Sequence, residues 1–242
     1  MTTIFKGSMV AIVTPFKDDG AIDEDALRKL IDIQIENGTD GLVPCGTTGE
    51  SATLSHAEHE TVISITVEQA AGRAKVLAGA GSNSTAEACK LTKFCEKVGA
   101  DGTLHITPYY NKPTQEGLFR HFQAIAKSSD LPIMLYNVPS RTSINMLPAT
   151  TIRLAEIENI VGVKEASGSL DHAHEIIQNT PADFALLSGE DSLTYPLYCI
   201  GAKGAISVTC NVAPKLCAEQ YSAVSKDDFI RAREIHEQLY GL

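Results

Sequence analysis

Short apolar runs alternate along the chain with longer amphipathic segments. The runs are nearly continuous in valine, isoleucine, leucine, alanine and glycine, as is typical of parallel strands that are covered on both faces. Eight of them predict strands, at Met9–Thr14, Gly41–Cys45, Lys75–Ala80, Gly102–Thr107, Pro132–Asn137, Ile160–Lys164, Phe184–Ser188 and Gly204–Val208.

The segments between these runs space their apolar residues as helices do. Two of them open with a capping-box pattern, in which a serine and the glutamate three residues later satisfy free N–H groups of the first turn: Ser55 with Glu58, and Ser84 with Glu87. Helices are predicted at Asp25–Glu36, Ser55–Ala70, Ser84–Val98, Gln115–Ser128, Leu147–Ala155, Ser169–Asn179, Ser192–Ile200, Pro214–Ala223 and Asp227–Leu239.

Eight strand–helix units in a chain of 242 residues predict an α/β protein with one closed (β/α)8 barrel. The alternative is an open, doubly wound sheet. Such a sheet usually carries a glycine-rich phosphate fingerprint after its first strand, and here that turn reads T-P-F-K-D-D-G. The pattern therefore favours the barrel.

Charge and composition narrow the possible partners. A formal net charge of -10 argues against nucleic acid or an anionic membrane as the main partner, because both require a basic face. Small anionic substrates stay possible. The six cysteines form no C-x-x-C pair, and the first residues lack a signal-peptide pattern, so we expect a cytoplasmic protein with reduced thiols.

Lys164 ends the sixth predicted strand, at the end of the barrel where active sites of this fold lie. Because side chains alternate along a strand, Lys164 is expected to point with Gly162 and opposite Val161 and Val163. Shielding from water would lower the pKa of its amine and make it a nucleophile for a carbonyl, giving a Schiff base. Alternatively, the side chain extends to solvent at the strand end.

Other polar residues cluster at the same predicted end. Tyr136 ends the fifth strand, where its hydroxyl could relay protons to Lys164 or simply bond to backbone. Thr47 and Thr48 lie between glycines, in either a carboxylate-binding loop or a plain tight turn. Arg141 suits an acidic substrate through bidentate contacts, unless it is a solvated loop residue.

Two further pairs leave more than one interpretation. Tyr109 and Tyr110 lie in a loop stiffened by prolines, placed either at the site or at a subunit contact. His56 and His59 have H-x-x-H spacing, but no further ligands stand at recognisable spacing, so no metal site is predicted.

Taken together, the motifs resemble a known family. G-S-M-V-A-I-V-T-P-F, G-T-T-G-E-S-A-T-L, T-P-Y-Y-N-K-P, L-Y-N-V-P-S-R-T, G-V-K-E-A-S-G and L-L-S-G-E-D are similar to those of the dihydrodipicolinate (4-hydroxy-tetrahydrodipicolinate) synthases, within the N-acetylneuraminate lyase superfamily. The resemblance runs from Gly7 to about Leu239. It implies a TIM barrel that condenses pyruvate with L-aspartate 4-semialdehyde in lysine and diaminopimelate synthesis, without a cofactor.

The resemblance also implies residue roles. Lys164 corresponds to the imine-forming lysine, and the proton relay comprises Thr47, Tyr136 and Tyr110, with Tyr110 reaching in from a neighbouring subunit. The substrate-binding positions are Thr48, Arg141, Gly189 and Ile206. Arg141 favours the synthase over the sibling sialic acid lyases, which typically lack an arginine there and carry G-S-T-G-E.

A second, inhibitory site for L-lysine is implied at a dimer interface. The matching positions are Ser51, Ala52, His56, His59, Asn83, Glu87 and Tyr109. Glu87 would pair with the ammonium group of the inhibitor.

The resemblance further implies a homo-oligomer, either a dimer or a tetramer. Family members usually continue into more C-terminal helices, so we expect a catalytic barrel over residues 1–224 and the start of a truncated C-terminal helical extension over residues 225–242. Two alternatives stay open: a sibling aldolase acting on a sugar acid, and an inactive barrel with a binding role.

Overall fold

The computed structural model describes residues 5–242, so the first four residues of the expected barrel domain lie outside the described residues. Eight parallel strands form a closed barrel in chain order, with β8 paired to β1, and the predicted barrel is therefore confirmed. The strands are β1 (Gly7–Val10), β2 (Gly41–Leu42), β3 (Lys75–Gly79), β4 (Gly102–Ile106), β5 (Ile133–Asn137), β6 (Ile160–Glu165), β7 (Ala185–Ser188) and β8 (Gly204–Ser207).

All nine predicted helices form, with ends shifted by up to two residues. They are α1 (Glu24–Glu36), α2 (His56–Ala70), α3 (Thr85–Val98), α4 (Gln115–Ala126), α6 (Pro148–Leu154), α7 (Leu170–Asn179), α8 (Thr194–Cys199), α9 (Pro214–Val224) and α10 (Phe229–Leu239). The short helix α5 (Pro139–Thr142) was not predicted. Of the helices in residues 5–242, none combines the length and apolar character needed to cross a bilayer.

The first two strands differ from their predicted bounds. β1 covers Gly7–Val10 instead of Met9–Thr14. After Val10 the chain makes one more hydrogen bond of the ladder, from the Ala11 N–H, and then leaves the sheet. β2 ends at Leu42 because Pro44 has no N–H to donate and Cys45 turns the chain with φ of 53°. Both early ends lengthen the loops at the carboxyl end of the barrel.

Apolar side chains fill the barrel interior. Met9, Leu77, Met134, Leu187 and Ile206 are at most 1% exposed and belong to one interior cluster. Burial of each such side chain contributes about 1.5–3 kcal/mol. The lower barrel is therefore a packed core, and the functional space lies above it, at the ends of the strands.

A register shift between β5 and β6 corrects one prediction about the lysine strand. Ile133 pairs with Ile160, but Met134 pairs with Gly162, so Val161 is an extra, bulged residue. Val161 consequently packs against the interior cluster, on the same side as Lys164 and not opposite to it. Strict alternation fails at this bulge because one strand has an unpaired residue.

Candidate active site

Lys164 is buried near the end of β6. Its side chain is 5% exposed, and its neighbours in the sheet are Tyr136 on β5 and Leu187 on β7. The ammonium nitrogen Nζ lies 4.3 Å from the centroid of the Tyr136 ring. The expected shielding of this lysine is present, and the alternative of a side chain in solvent is wrong.

Burial lowers the pKa of the Lys164 amine to about 8. Desolvation is the largest cause; Asp191 raises the pKa and Arg141 lowers it. At pH 7 about a tenth of such an amine is neutral, against about one part in 3000 for an ordinary lysine. Lys164 can therefore act as a nucleophile at neutral pH.

Gly189 leaves the space that the Lys164 side chain occupies. A Cβ atom at this position would lie 2.9 Å from both Cγ and Cε of Lys164. The Gly189 N–H donates to the Glu165 carbonyl, which fixes the chain beside the lysine. Ile206, the other predicted backbone position, is 1% exposed and packs in the barrel interior next to Met9.

Tyr136 is 6% exposed, and the side chain of Thr47 adjoins its hydroxyl. Burial raises the pKa of this phenol, while the hydrogen bond with Thr47 and the charge of Arg141 oppose the rise. The phenol therefore keeps its proton at neutral pH and can both donate and accept hydrogen bonds. Such a group is suited to relaying protons.

The loop after β2 carries Thr47 and Thr48. A Cβ atom at Gly49 would lie 2.9 Å from the Ile12 carbonyl oxygen, so glycine is needed for this close approach. The Thr14 hydroxyl donates to the Gly49 carbonyl at 2.7 Å and anchors the turn. Within residues 5–242, no acceptor pairs with the N–H groups of Thr47 and Thr48. They are free to hold an anion.

A cavity of about 400 Å³ opens at this end of the barrel. It brings three predicted catalytic or substrate-binding residues, Thr47, Tyr136 and Arg141, together with six of the seven predicted inhibitor-site residues, Ser51, Ala52, His56, His59, Glu87 and Tyr109. Thr48, Asn83, Tyr110, Lys164, Gly189 and Ile206 do not line it. Lys164 adjoins it through the ring of Tyr136.

Arg141 reaches this cavity from α5, the helix that the sequence pattern did not predict. Pro139 starts the helix, and the buried Thr142 anchors it by donating to the Val138 carbonyl at 3.2 Å. Thr142 also bonds to the hydroxyl of Thr107 at the end of β4. The guanidinium remains exposed at the mouth, where it can meet an anionic group.

Glu87 shows where a predicted capping box fails. Ser84 accepts the expected bond from the Glu87 N–H, but the Glu87 carboxylate does not return to the Ser84 N–H. It contacts the Ser82 hydroxyl and lies 3.1 Å from Nε2 of His56. The Ser84 N–H donates to the Ser82 hydroxyl instead, so the Glu87 carboxylate is free to face the cavity. At Ser55 and Glu58 the reciprocal box is confirmed.

The two histidines of the H-x-x-H pair engage different partners. Nε2 of the buried His59 lies 2.7 Å from the Gly79 carbonyl, and burial lowers the pKa of this imidazole. His56 faces Glu87 instead. Across residues 5–242, no group of three or more histidine, cysteine, aspartate or glutamate side chains is placed to hold a metal ion.

The loop after β4 directs its tyrosines differently. Tyr109 lines the cavity and accepts a bond at its carbonyl from Asn83 at 3.2 Å. Tyr110 is 91% exposed with φ of 71°, and it does not line the cavity.

Sequence reasoning gave no role to Asp191, in the S-G-E-D motif. Its Oδ2 atom accepts three hydrogen bonds from the turn after β8. Its negative charge raises the pKa of Lys164. The motif itself was the available signal, since it places two carboxylates at the end of a barrel strand.

Comparison with known proteins places this architecture among its relatives. The model of the dihydrodipicolinate synthetase family matches residues 4–242. A 4-hydroxy-tetrahydrodipicolinate synthase from Syntrophus aciditrophicus (strain SB) is 56% identical over 239 residues, covering 99% of this chain and 82% of that protein.

Two solved structures are also similar. A chloride-inhibited dihydrodipicolinate synthase from Acinetobacter baumannii, complexed with pyruvate, is 46% identical with a TM-score of 0.94, covering 96% of this chain and 80% of that one. A dihydrodipicolinate synthase from Cyanidioschyzon merolae with lysine bound is 44% identical with a TM-score of 0.93, with coverage of 96% and 80%. By family model, sequence identity and fold, this chain belongs to the dihydrodipicolinate synthetase family.

Proposed function

We propose that this chain condenses pyruvate with L-aspartate 4-semialdehyde to give 4-hydroxy-tetrahydrodipicolinate, as a Schiff-base-forming lyase of lysine and diaminopimelate synthesis. The observation that carries the proposal is the buried amine of Lys164, with a pKa of about 8, against the ring of Tyr136 at the end of the barrel. Family membership supplies the substrates.

The reaction begins at Lys164. Its neutral amine attacks the ketone carbon of pyruvate, and the resulting carbinolamine loses water to form a protonated imine. Tyr136 carries the proton between nitrogen and leaving oxygen, and Thr47, bonded to the phenol, extends the relay. The free N–H groups of Thr47 and Thr48 hold the pyruvate carboxylate, beside the backbone of Gly189 and Ile206.

Carbon–carbon bond formation follows. The protonated imine withdraws electrons, so the pyruvate methyl group loses a proton to the relay of Tyr136 and Thr47, and an enamine forms. The relay returns this proton to the aldehyde oxygen in the next step. The enamine carbon attacks the aldehyde of the semialdehyde, whose carboxylate pairs with Arg141. The amino group of the adduct then attacks the imine carbon, closing the ring and releasing Lys164. The imine is the electron sink, so the steps require no metal or organic cofactor.

Tyr110 belongs to the relay of a neighbouring copy in this proposal. Its 91% exposure and its fixed, positive φ suit a side chain presented to another subunit. The protein is accordingly a homo-oligomer, a dimer or a tetramer, whose catalytic barrel spans residues 1–224. A cytoplasmic location suits its six unpaired thiols.

The same cavity extends to a binding site for L-lysine as a feedback inhibitor. Its acidic side chain Glu87 would pair with an ammonium group, near His56, His59 and Tyr109. Ser51, Ala52 and Asn83 complete the surroundings. The Cyanidioschyzon merolae relative was solved with lysine bound, which supports this part of the proposal.

Borohydride reduction tests the central step. Incubation with pyruvate and borohydride should attach one pyruvate-derived group to Lys164, identified by peptide mass spectrometry, and Lys164→Ala should abolish it. Lys203→Ala, which removes an exposed lysine, is the matched control and should retain trapping. A label that persists in Lys164→Ala would contradict the mechanism. Faster turnover of N-acetylneuraminate than of the semialdehyde would contradict the substrate assignment.

A further inference from the structure

One carboxylate oxygen joins the loop after β7 to the turn after β8. Oδ2 of Asp191 accepts hydrogen bonds from the Val208 N–H at 2.9 Å, the Thr209 N–H at 3.0 Å and the Thr209 hydroxyl at 3.1 Å. Three donors that converge on one atom fix the direction of this side chain. Asp191 therefore stands as a rigid negative charge between two strand ends.

The chain brings this charge to the catalytic lysine. Lys164 pairs with Leu187 in β7, and two residues later Gly189 lies against the Cγ and Cε atoms of Lys164. Asp191 follows after two more residues. It therefore belongs to the short segment that crosses the lysine side chain and continues to its own anchor at β8.

In the part of the chain that the structure describes, two charged side chains shift the pKa of the Lys164 amine. Asp191 and Arg141 act on Lys164 directly, with opposite signs. Arg141 and Glu190 act on Tyr136, whose ring the amine faces. Arg141 is the cation proposed to hold substrate, so it disfavours a second positive charge on the lysine. Among these groups, Asp191 is the one that favours a cation at Nζ.

We propose that Asp191 is a positioning residue that stabilises the cationic imine on Lys164 while tying the ends of β7 and β8 around it. The inference rests on the proposed function, since the cation in question exists only if Lys164 forms the imine. A protonated imine in a buried site loses hydration, and a fixed carboxylate nearby offsets part of that loss. Because the oxygen is already held in place, little reorganisation accompanies the reaction.

The test separates charge from structure. Asp191→Asn removes the charge and keeps an oxygen that can accept from the turn after β8. Its rate of pyruvate trapping on Lys164 and its kcat and KM are measured from pH 6 to pH 10. In the plot of rate against pH, the limb is the part that rises as Lys164 loses its proton. We expect this limb to move to lower pH by about one unit. We also expect kcat to fall about tenfold, more than KM rises. Glu190→Gln, which removes the adjacent carboxylate, should keep that limb in place.

The possible outcomes distinguish an electrostatic role of Asp191 from a purely structural one, and both from failure of the proposed function. An unshifted limb in Asp191→Asn, with activity lost in Asp191→Ala, would overturn the proposal and leave a structural role. Asp191→Glu should restore the limb toward that of the unmodified protein. If Asp191→Asn melts at a lower temperature, Asp191→Ser provides a second uncharged acceptor and should show the same shift. Absence of trapping on Lys164 in the unmodified protein would instead refute the proposed function.

Discussion

The Nζ atom of Lys164 lies 4.3 Å from the centre of the Tyr136 ring, because the two residues are paired across β5 and β6. The register that pairs them exists only beyond the bulge at Val161. One extra residue in β6 thus sets the Lys164 amine beside the Tyr136 ring, and the position of both within the barrel keeps them away from bulk water.

Replacing Tyr136 by phenylalanine should leave the fold intact and lower kcat by about 10²–10⁴-fold, the usual contribution of a proton-transferring group. The ring would still cover Lys164, but no hydroxyl would meet Thr47. Reactions with pyruvate that are quenched with borohydride at successive times should show slow imine formation, with Lys164 still labelled in the end. Tyr221→Phe, outside the site, serves as control. A kcat within twofold of the original would remove Tyr136 from the relay.

Replacing Lys164 by methionine should abolish activity and stabilise the protein. In the folded state the pKa of Lys164 is lowered from 10.5 to about 8, so between these values the unfolded chain binds a proton that the folded chain lacks. The free energy of unfolding of the unmodified protein therefore rises with pH across this window, by about 3 kcal/mol.

Lys164→Met should remove that rise and increase the free energy of unfolding at pH 7 by about 1–3 kcal/mol. Urea denaturation at several pH values measures both effects. An unchanged slope with pH would mean that the amine is solvated.

Gly189→Ala should impair catalysis more than stability. The new methyl group would meet Cγ and Cε of Lys164 at 2.9 Å and displace the amine from Tyr136. We expect kcat to fall about 10²-fold, since a displacement near 1 Å has that effect on oriented reactants. Kinetics and thermal melting together test this. Gly241→Ala, where a Cβ atom meets nothing within 4 Å, is the sterically open control.

Mixing two inactive variants should restore activity if Tyr110 acts in a neighbouring subunit. In a mixed oligomer of Lys164→Ala and Tyr110→Phe chains, one site combines an intact Lys164 with an intact Tyr110 from the other chain. Activity should appear after the two proteins are unfolded and refolded together, and not when each is refolded alone. No recovery in confirmed mixed oligomers would place Tyr110 in its own chain's site or outside the relay.

Glu87→Gln should weaken L-lysine binding by about tenfold or more, the range of one charge-assisted hydrogen bond. Isothermal titration calorimetry measures the affinity, and kcat without inhibitor should change little. Glu60→Gln, a carboxylate on α2 that does not line the cavity, is the matched control. Absence of heat with the unmodified protein at millimolar L-lysine would contradict the inhibitory site itself.

Local patterns predicted much of the molecule, and their failures have specific causes. The period of apolar residues located each strand found in residues 5–242 and nine helices, because burial on one face repeats along each element. It missed α5, whose four residues are too few to show a period. The capping pattern at Ser84 did not reveal that Ser82, brought in by the chain after β3, would take the role of Glu87.

The sequence by itself determined the barrel and the set of polar residues at the strand ends, because these depend on periodicity and on motifs along the chain. Only the tertiary structure decided which of those residues meet. The bulge at Val161, the passage of Gly189 over Lys164 and the anchoring of Asp191 at the end of β8 all join segments distant in the chain. Such contacts follow from strand register and packing, which no local pattern encodes.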